Sequence, residues 1–174
     1  MPSVLQMRKN LVVPPSVAKV AGVRVRAFSG EVDIEPWLEL RRRAFARARV
    51  GVREWTAEEF RQELSGRWWW SQQRLWFADS IDPARHSPLG AIACAQRGSA
   101  AEPGPPAVHW LMVDPAARRQ GIGRLLLAVL ERHCWELGLR EVCLETHAEW
   151  RAAVALYRAT GYEEVISAGD GSRF

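Results

Sequence analysis

What the chain lacks narrows it first. No run approaches 18 consecutive apolar residues, so no bilayer-spanning helix and no membrane partner is expected. Cys94, Cys134 and Cys143 show no C-x-x-C spacing, and their number leaves one unmatched. Each sits in an apolar run, which points to buried, reduced thiols in a cytoplasmic protein rather than disulfides, metal ligands or a nucleophile. His86, His109, His133 and His147 have no paired ligand spacing, so no metal is expected. There is no acidic cluster to receive a polycation. The net charge is +4, but basic residues are dispersed and not massed, so no nucleic-acid partner is expected. Arg41-Arg42-Arg43, in a predicted helix with Glu35 and Glu39, reads as a solvated face. Arg8-Lys9 precedes Leu11-Val12-Val13, but Pro14 and Pro15 cut that apolar run short of a secretory leader. Residues 1–19 read as a loose tail, with one domain over 20–174 and no internal repeat.

What is present suits a globular domain with a sizeable core: 174 residues, 48% hydrophobic. The organising stretch runs from Val108 to Leu137, an apolar strand, a short turn and a long helix. Ile122, Leu125, Leu126, Val129, Leu130 and Leu137 form one buried helical stripe. Gly121 and Gly123 stand where strand hands over to helix, so the backbone can approach a bound group. The free N–H groups of the first helical turn and the helix dipole then favour an anion, most often a phosphate. Arg124-Leu125 stands where a Walker loop needs lysine and a hydroxyl, and no third glycine completes a dinucleotide fingerprint.

Around this stretch, Val20–Phe28 alternates as a half-buried strand. Asp33 is placed to cap a helix reaching about Val50, and Thr56-x-x-Glu59 is a capping box for a helix to about Trp70. Residues 74–79, 89–96, 140–146 and 161–167 read as strands, 149–160 as a helix, and 97–106, rich in Gly and Pro, as a flexible loop. Nine tryptophans are the compositional oddity. Three in a row at 68–70 cannot all enter one core from a helix, so at least one should be exposed or in a contact, which leaves room for a homodimer.

Val113-Asp114-Pro115-Ala116-Ala117-Arg118-Arg119-Gln120-Gly121-Ile122-Gly123 resembles the acyl-CoA-binding motif of the GNAT superfamily of N-acetyltransferases. Ala153-Val154-Ala155-Leu156-Tyr157, followed by Gly161-Tyr162, resembles a second motif of that superfamily, and together they cover about residues 107–166. The resemblance implies an α/β fold with a mixed, twisted sheet of about six or seven strands and helices on both faces. It implies acetyl-CoA as donor, held between the strands 108–113 and 141–145. It assigns the pyrophosphate to Arg119, Gln120, Gly121, Ile122, Gly123 and Arg124, the pantetheine to Leu111, Met112 and Val113, and the first motif position to Arg118. Tyr157 matches the tyrosine that protonates the departing thiolate, a role a phenol can fill. For the general base, Glu145 is one candidate and His109 another; an outward glutamate and a packed histidine explain the same residues as well. The chain departs from relatives at Ala107, where many carry glutamate, and at Trp150, where many carry asparagine. The expected reaction is direct attack of a small-molecule or peptide amine on acetyl-CoA. A non-catalytic acyl-CoA-binding module of the same fold is the rival.

Overall fold

The computed structural model describes residues 3–47 and 52–165. Its centre is a seven-stranded sheet of β1 (Val4–Asn10), β2 (Val23–Ala27), β3 (Leu75–Ser80), β4 (Gly90–Gly98), β5 (Pro103–Val113), β6 (Glu141–His147) and β7 (Glu163–Glu164), in the order β2-β3-β4-β5-β6-β1-β7. Neighbours are antiparallel except β5 and β6. Helices α3 (Ile122–Glu136) and α4 (Arg151–Ala159) cover one face, where Ile122, Leu126, Leu130 and Tyr157 meet Ile92, Val108 and Leu144. Helices α1 (Ile34–Phe45) and α2 (Ala57–Phe60, continued by a π turn over Arg61–Ser65) cover the other, where Trp37, Leu40, Phe60 and Leu64 meet Phe77, Ala91 and Met112. The mixed sheet, helices on both faces and number of strands agree with the α/β reading.

The first correction concerns the N-terminal residues expected as a loose tail. Val4–Asn10 is an interior strand, in antiparallel register with β6 from Val4↔His147 to Asn10↔Glu141 and with β7 at Met7↔Glu164. Met7 and Leu11 are buried in the main core. Arg8-Lys9 disguised the strand: Lys9 Nζ reaches Glu131 Oε2 on α3 at 2.7 Å, a partner 122 residues away that no local pattern reveals. The core thus starts well before residue 20. Met7→Ala removes a fully enclosed side chain and is expected to cost about 2–5 kcal/mol, read by urea unfolding; unchanged stability would make β1 peripheral.

Residues 97–106 are not one loop. Only Ser99–Glu102 turns, with Ser99 N–H donating to Glu102 O, and β5 starts at Pro103. The prolines 105 and 106 are tolerated because β6 joins this edge of β5 only at Ala107↔Cys143. Asp33 stands before α1 but its side chain caps nothing: it takes Arg26 at 2.7 and 2.9 Å and the Ser29 N–H and hydroxyl. Helix α1 ends at Phe45, and residues 48–50 of the expected helix lie outside the described residues, as does 166–167 of the last strand. The Thr56–Glu59 capping box is present, but the helix stops at Ser65, so Trp68–Trp70 are not helical. Trp68 is exposed while Trp69 and Trp70 pack on the α1–α2 side. All three cysteines are buried and free. The arginine run is also not one solvated face: Arg41 is buried and Arg43 reaches Asp114 at 2.9 Å as well as the exposed Glu39, so that only Arg42 is held by exposed glutamates alone.

Candidate active site

The site is built where β5 leaves β6. The two parallel strands pair at one position, Ala107↔Cys143, and share no register beyond it. An extra residue in β5 accompanies this break. Against β4 the register runs Ala93↔His109 and then Ala91↔Met112, two steps on one strand against three on the other. Trp110 absorbs the surplus with φ +48, rare for a bulky residue. The bulge switches the strand's alternation: Val108 faces the α3–α4 core, but Leu111 and Val113 face it afterwards, while Trp110 and Met112 face α1. Val108, Leu111 and Val113 cannot share one face of a regular strand, and that mismatch was the available clue to the bulge.

The turn after β5 is braced at both ends. Asp114 accepts the Ala116 N–H at 2.9 Å and Arg43 Nε at 2.9 Å. Arg118, expected to touch the cofactor, instead ties β5 to α1: Nε donates to Val113 O at 3.2 Å and Nη2 to Ala44 O at 2.8 Å. At the far end Ile122 is buried in the core. Between these anchors Arg119 (φ +66) and Gly121 (φ +84) are left-handed, the alternation that gathers successive N–H groups into an anion-binding nest. Among the described residues no backbone N–H from Arg119 to Arg124 is used; the first donor is Leu125, to Gly121 O at 2.9 Å. Gln120, Gly121 and Arg124 are exposed. Gly123 is a packing requirement, since a Cβ there would stand 3.0 Å from Leu156 Cδ2 and 3.8 Å from Val113 Cγ2. A pyrophosphate fits this cradle: unpaired donors, a helix N-terminus and no side chain in the way.

Tyr157, on α4, is buried and packs edge-on against Tyr162 at 5.8 Å. Among the described residues nothing hydrogen-bonds its hydroxyl. Burial pushes its pKa well up, so it stays a neutral O–H donor. Glu145 is exposed, on the face of β6 opposite Val142, Leu144 and Thr146, with Gln6 beside it in β1. His109 packs edge-to-face against Trp110 at 5.5 Å. Burial first, then the charge of Arg67, lower its pKa to about 4, so at neutral pH it is an uncharged imidazole and a weak proton acceptor. Trp150 stands before α4 with its ring against Phe45 (5.5 Å) and His147 (4.8 Å); its indole joins an aromatic wall.

That wall was not foreseen. From Trp150 it runs through Phe45 to Trp110, and from Trp110 to Trp37 and Trp55, at centroid separations of 5.0 to 6.1 Å. Inside it, the Arg41 guanidinium lies 4.7 Å from the Trp55 ring and 4.5 Å from the Trp110 ring. Burial first, then Arg53, lower its pKa to about 10, leaving it charged at neutral pH. The surplus of tryptophan hinted at a cleft, but the partners come from α1, the following connection, β5 and α4, which no sequence window joins.

A splayed mixed sheet with unused N–H groups at a glycine turn before a helix defines an α/β fold with a candidate anion-binding site beside the splay. The chain belongs to the Acetyltransferase (GNAT) family, whose sequence description matches residues 34–162. It is 34% identical to a mycothiol acetyltransferase of Geodermatophilus obscurus, over 91% of this chain and 51% of that one. It is also 34% identical to one of Kocuria rhizophila, over 87% and 49%. The chain spans about half the length of these curated relatives. Among solved structures, a GCN5-related N-acetyltransferase from Sphaerobacter thermophilus superposes with TM-score 0.73 at 24% identity, over 95% of this chain and 50% of that one. A tandem GNAT protein from the clavulanic acid biosynthesis pathway superposes with TM-score 0.68 at 17% identity, over 94% and 50%. At these identities the superpositions speak for the fold alone. Among the described residues no helix is long and apolar enough to cross a membrane.

Proposed function

We propose that this chain transfers an acetyl group from acetyl-CoA to a primary amine on a small molecule, as the names of its mycothiol acetyltransferase relatives suggest for their own acceptors. The observation that carries the reading is the row of unused N–H groups from Arg119 to Arg124, held between the Arg118 brace and the buried Ile122. Acetyl-CoA, when bound, supplies the activated acyl group as a thioester. The N–H groups of the nest hold the diphosphate, and the free edge of β5 from Leu111 to Val113 lines the splay for the pantetheine arm. The Val113 N–H is the donor we assign to the charge that develops on the carbonyl oxygen. Tyr157 donates its proton to the departing sulfur. We assign the amine's entry to the α1–α2 side of the splay, opposite α3 and α4. Glu145 lies on that face and is the better placed of the two base candidates, directly or through water, because His109 is held neutral.

The test is incubation with isotopically labelled acetyl-CoA and a panel of small amines and peptides, with calorimetry of acetyl-CoA binding alongside. Micromolar binding and label transfer to at least one amine are expected. Binding with no transfer to any amine favours the non-catalytic module, and no binding refutes the reading.

A further inference from the structure

Arg41 is the one arginine of the 41–43 run with no carboxylate. On the same helix Arg42 pairs with Glu35 and Glu39, and Arg43 with Asp114. Arg41 is only 4% exposed, its Nε is shut in with no acceptor, and no described residue hydrogen-bonds it. Neither nearby carboxylate bonds it: Glu59 is taken by Arg53 and the Thr56 N–H, and exposed Glu54 acts on it only through space. Two further buried donors lack acceptors as well: Nε1 of Trp110, whose ring touches it, and Nε1 of Trp37, whose ring packs on Trp110. A charged group costs much to bury unpaired, and three orphaned donors with no acceptor among them are a poor way to fill a core. The Trp55 and Trp110 rings, 5.0 Å apart and at 74° to one another, form a corner against the guanidinium, and of its nitrogens only Nε is shut in, which leaves the two Nη groups as the edge it can present. A planar pair of donors on a rigid fork matches a carboxylate.

The position fits an acceptor, not the donor. Trp110 is the bulge residue of β5, immediately before the strand edge assigned to pantetheine. Arg41 approaches it from α1, on the side of the sheet that carries α1 and α2, from which the amine is assigned to enter and toward which Glu145 also lies. Resting on the acetyl-transfer reading above, we propose that Arg41, seated in the corner of Trp55 and Trp110, is an acceptor subsite for a carboxylate, so that the substrate is an amine that also carries a carboxyl group. The aromatic wall excludes water from that pair and strengthens it.

The test uses ω-amino carboxylates of increasing length (glycine, β-alanine, 4-aminobutyrate, 6-aminohexanoate), each against its own amide. Binding to the CoA-loaded protein is measured by calorimetry and acetylation by kcat/KM. At the chain length that spans the site, the carboxylate is expected to exceed its amide at least tenfold in both. In Arg41→Met that ratio should fall to about one, and Arg41→Lys, which keeps charge but loses the fork, should fall between. Thermal unfolding guards against a merely structural role: losing an unpaired buried cation should leave Tm unchanged or raise it, whereas a structural anchor would lower it in both variants. Equal behaviour of carboxylates and amides at every length, absence of binding by any of them, or a ratio that survives Arg41→Met overturns the subsite. Selective binding with no acetylation sinks the enzymatic reading and leaves the subsite standing.

Discussion

Tyr157→Phe is expected to lower kcat about a hundredfold while leaving the affinity for acetyl-CoA within twofold. The lost hydroxyl is the only atom changed, and it bonds no described residue, so neither packing nor binding should suffer. A hundredfold loss corresponds to about 2.7 kcal/mol of barrier, the lower end of what a positioned proton donor contributes. The pH dependence follows from the direction of the shift. Burial raises the Tyr157 pKa, because it disfavours the phenolate. The acid form therefore persists throughout the working range, and kcat should show no falling limb from this residue up to at least pH ~9. The same sign bears on stability: a group whose pKa is raised in the folded state favours folding less as pH climbs past its unfolded value near ~10, so alkaline conditions should weaken Tyr157→Phe, which keeps the similarly raised Tyr162, less than the wild type. Steady-state rates and Tm between pH 6 and 10.5 check both arms. A kcat within twofold of wild type would remove Tyr157 from the proton path.

The contrast between what the sequence disclosed and what it hid is physical. The loop and α3 were legible because their causes are local: two glycines, an adjoining apolar strand and one helical stripe from Ile122 to Leu130 lie within a single window. The Thr56–Glu59 box was legible for the same reason. β1 was not, because Lys9 reads as solvated until Glu131 is brought beside it by the fold. Asp33 looked like a cap because the helix begins after it, but Arg26 from the neighbouring strand competes for the same carboxylate and wins with two bonds. Arg118 fits a family motif by position, whereas its donors are consumed by Val113 O and Ala44 O. The Arg41 site was the least accessible. The rings against it come from the connection after α1 and from β5, and its defining feature is a missing partner, which a linear pattern cannot display. Local backbone conformation was therefore readable, and which distant side chains meet was not.

Gly121→Val should raise the dissociation constant for acetyl-CoA at least a hundredfold, with a smaller loss of stability. Gly121 sits at φ +84, where a Cβ meets only Val20 Cγ2 at 3.6 Å, so bulk is not the obstacle. The obstacle is the left-handed backbone, which costs an L-residue about 1–2 kcal/mol and a β-branched one more. Such strain can be relieved by turning φ negative, but that re-aims the neighbouring N–H groups and dismantles the nest. The surroundings decide how the loop responds. Arg118 is pinned to Val113 O and Ala44 O, and Ile122 is buried, so neither end can shift to absorb the change and it falls on the residues between. Tm should drop by about 2–4 °C for each kcal/mol lost in a domain of this size. A graded series separates conformation from volume: Gly121→Asn, which tolerates the left-handed region, should keep affinity within about tenfold, and Gly121→Ala should fall between Asn and Val. Titration calorimetry with acetyl-CoA on the three variants gives the order. If the valine variant binds as tightly as wild type, the N–H groups around Gly121 do not hold the diphosphate, and the anion cradle must be sought elsewhere in the fold.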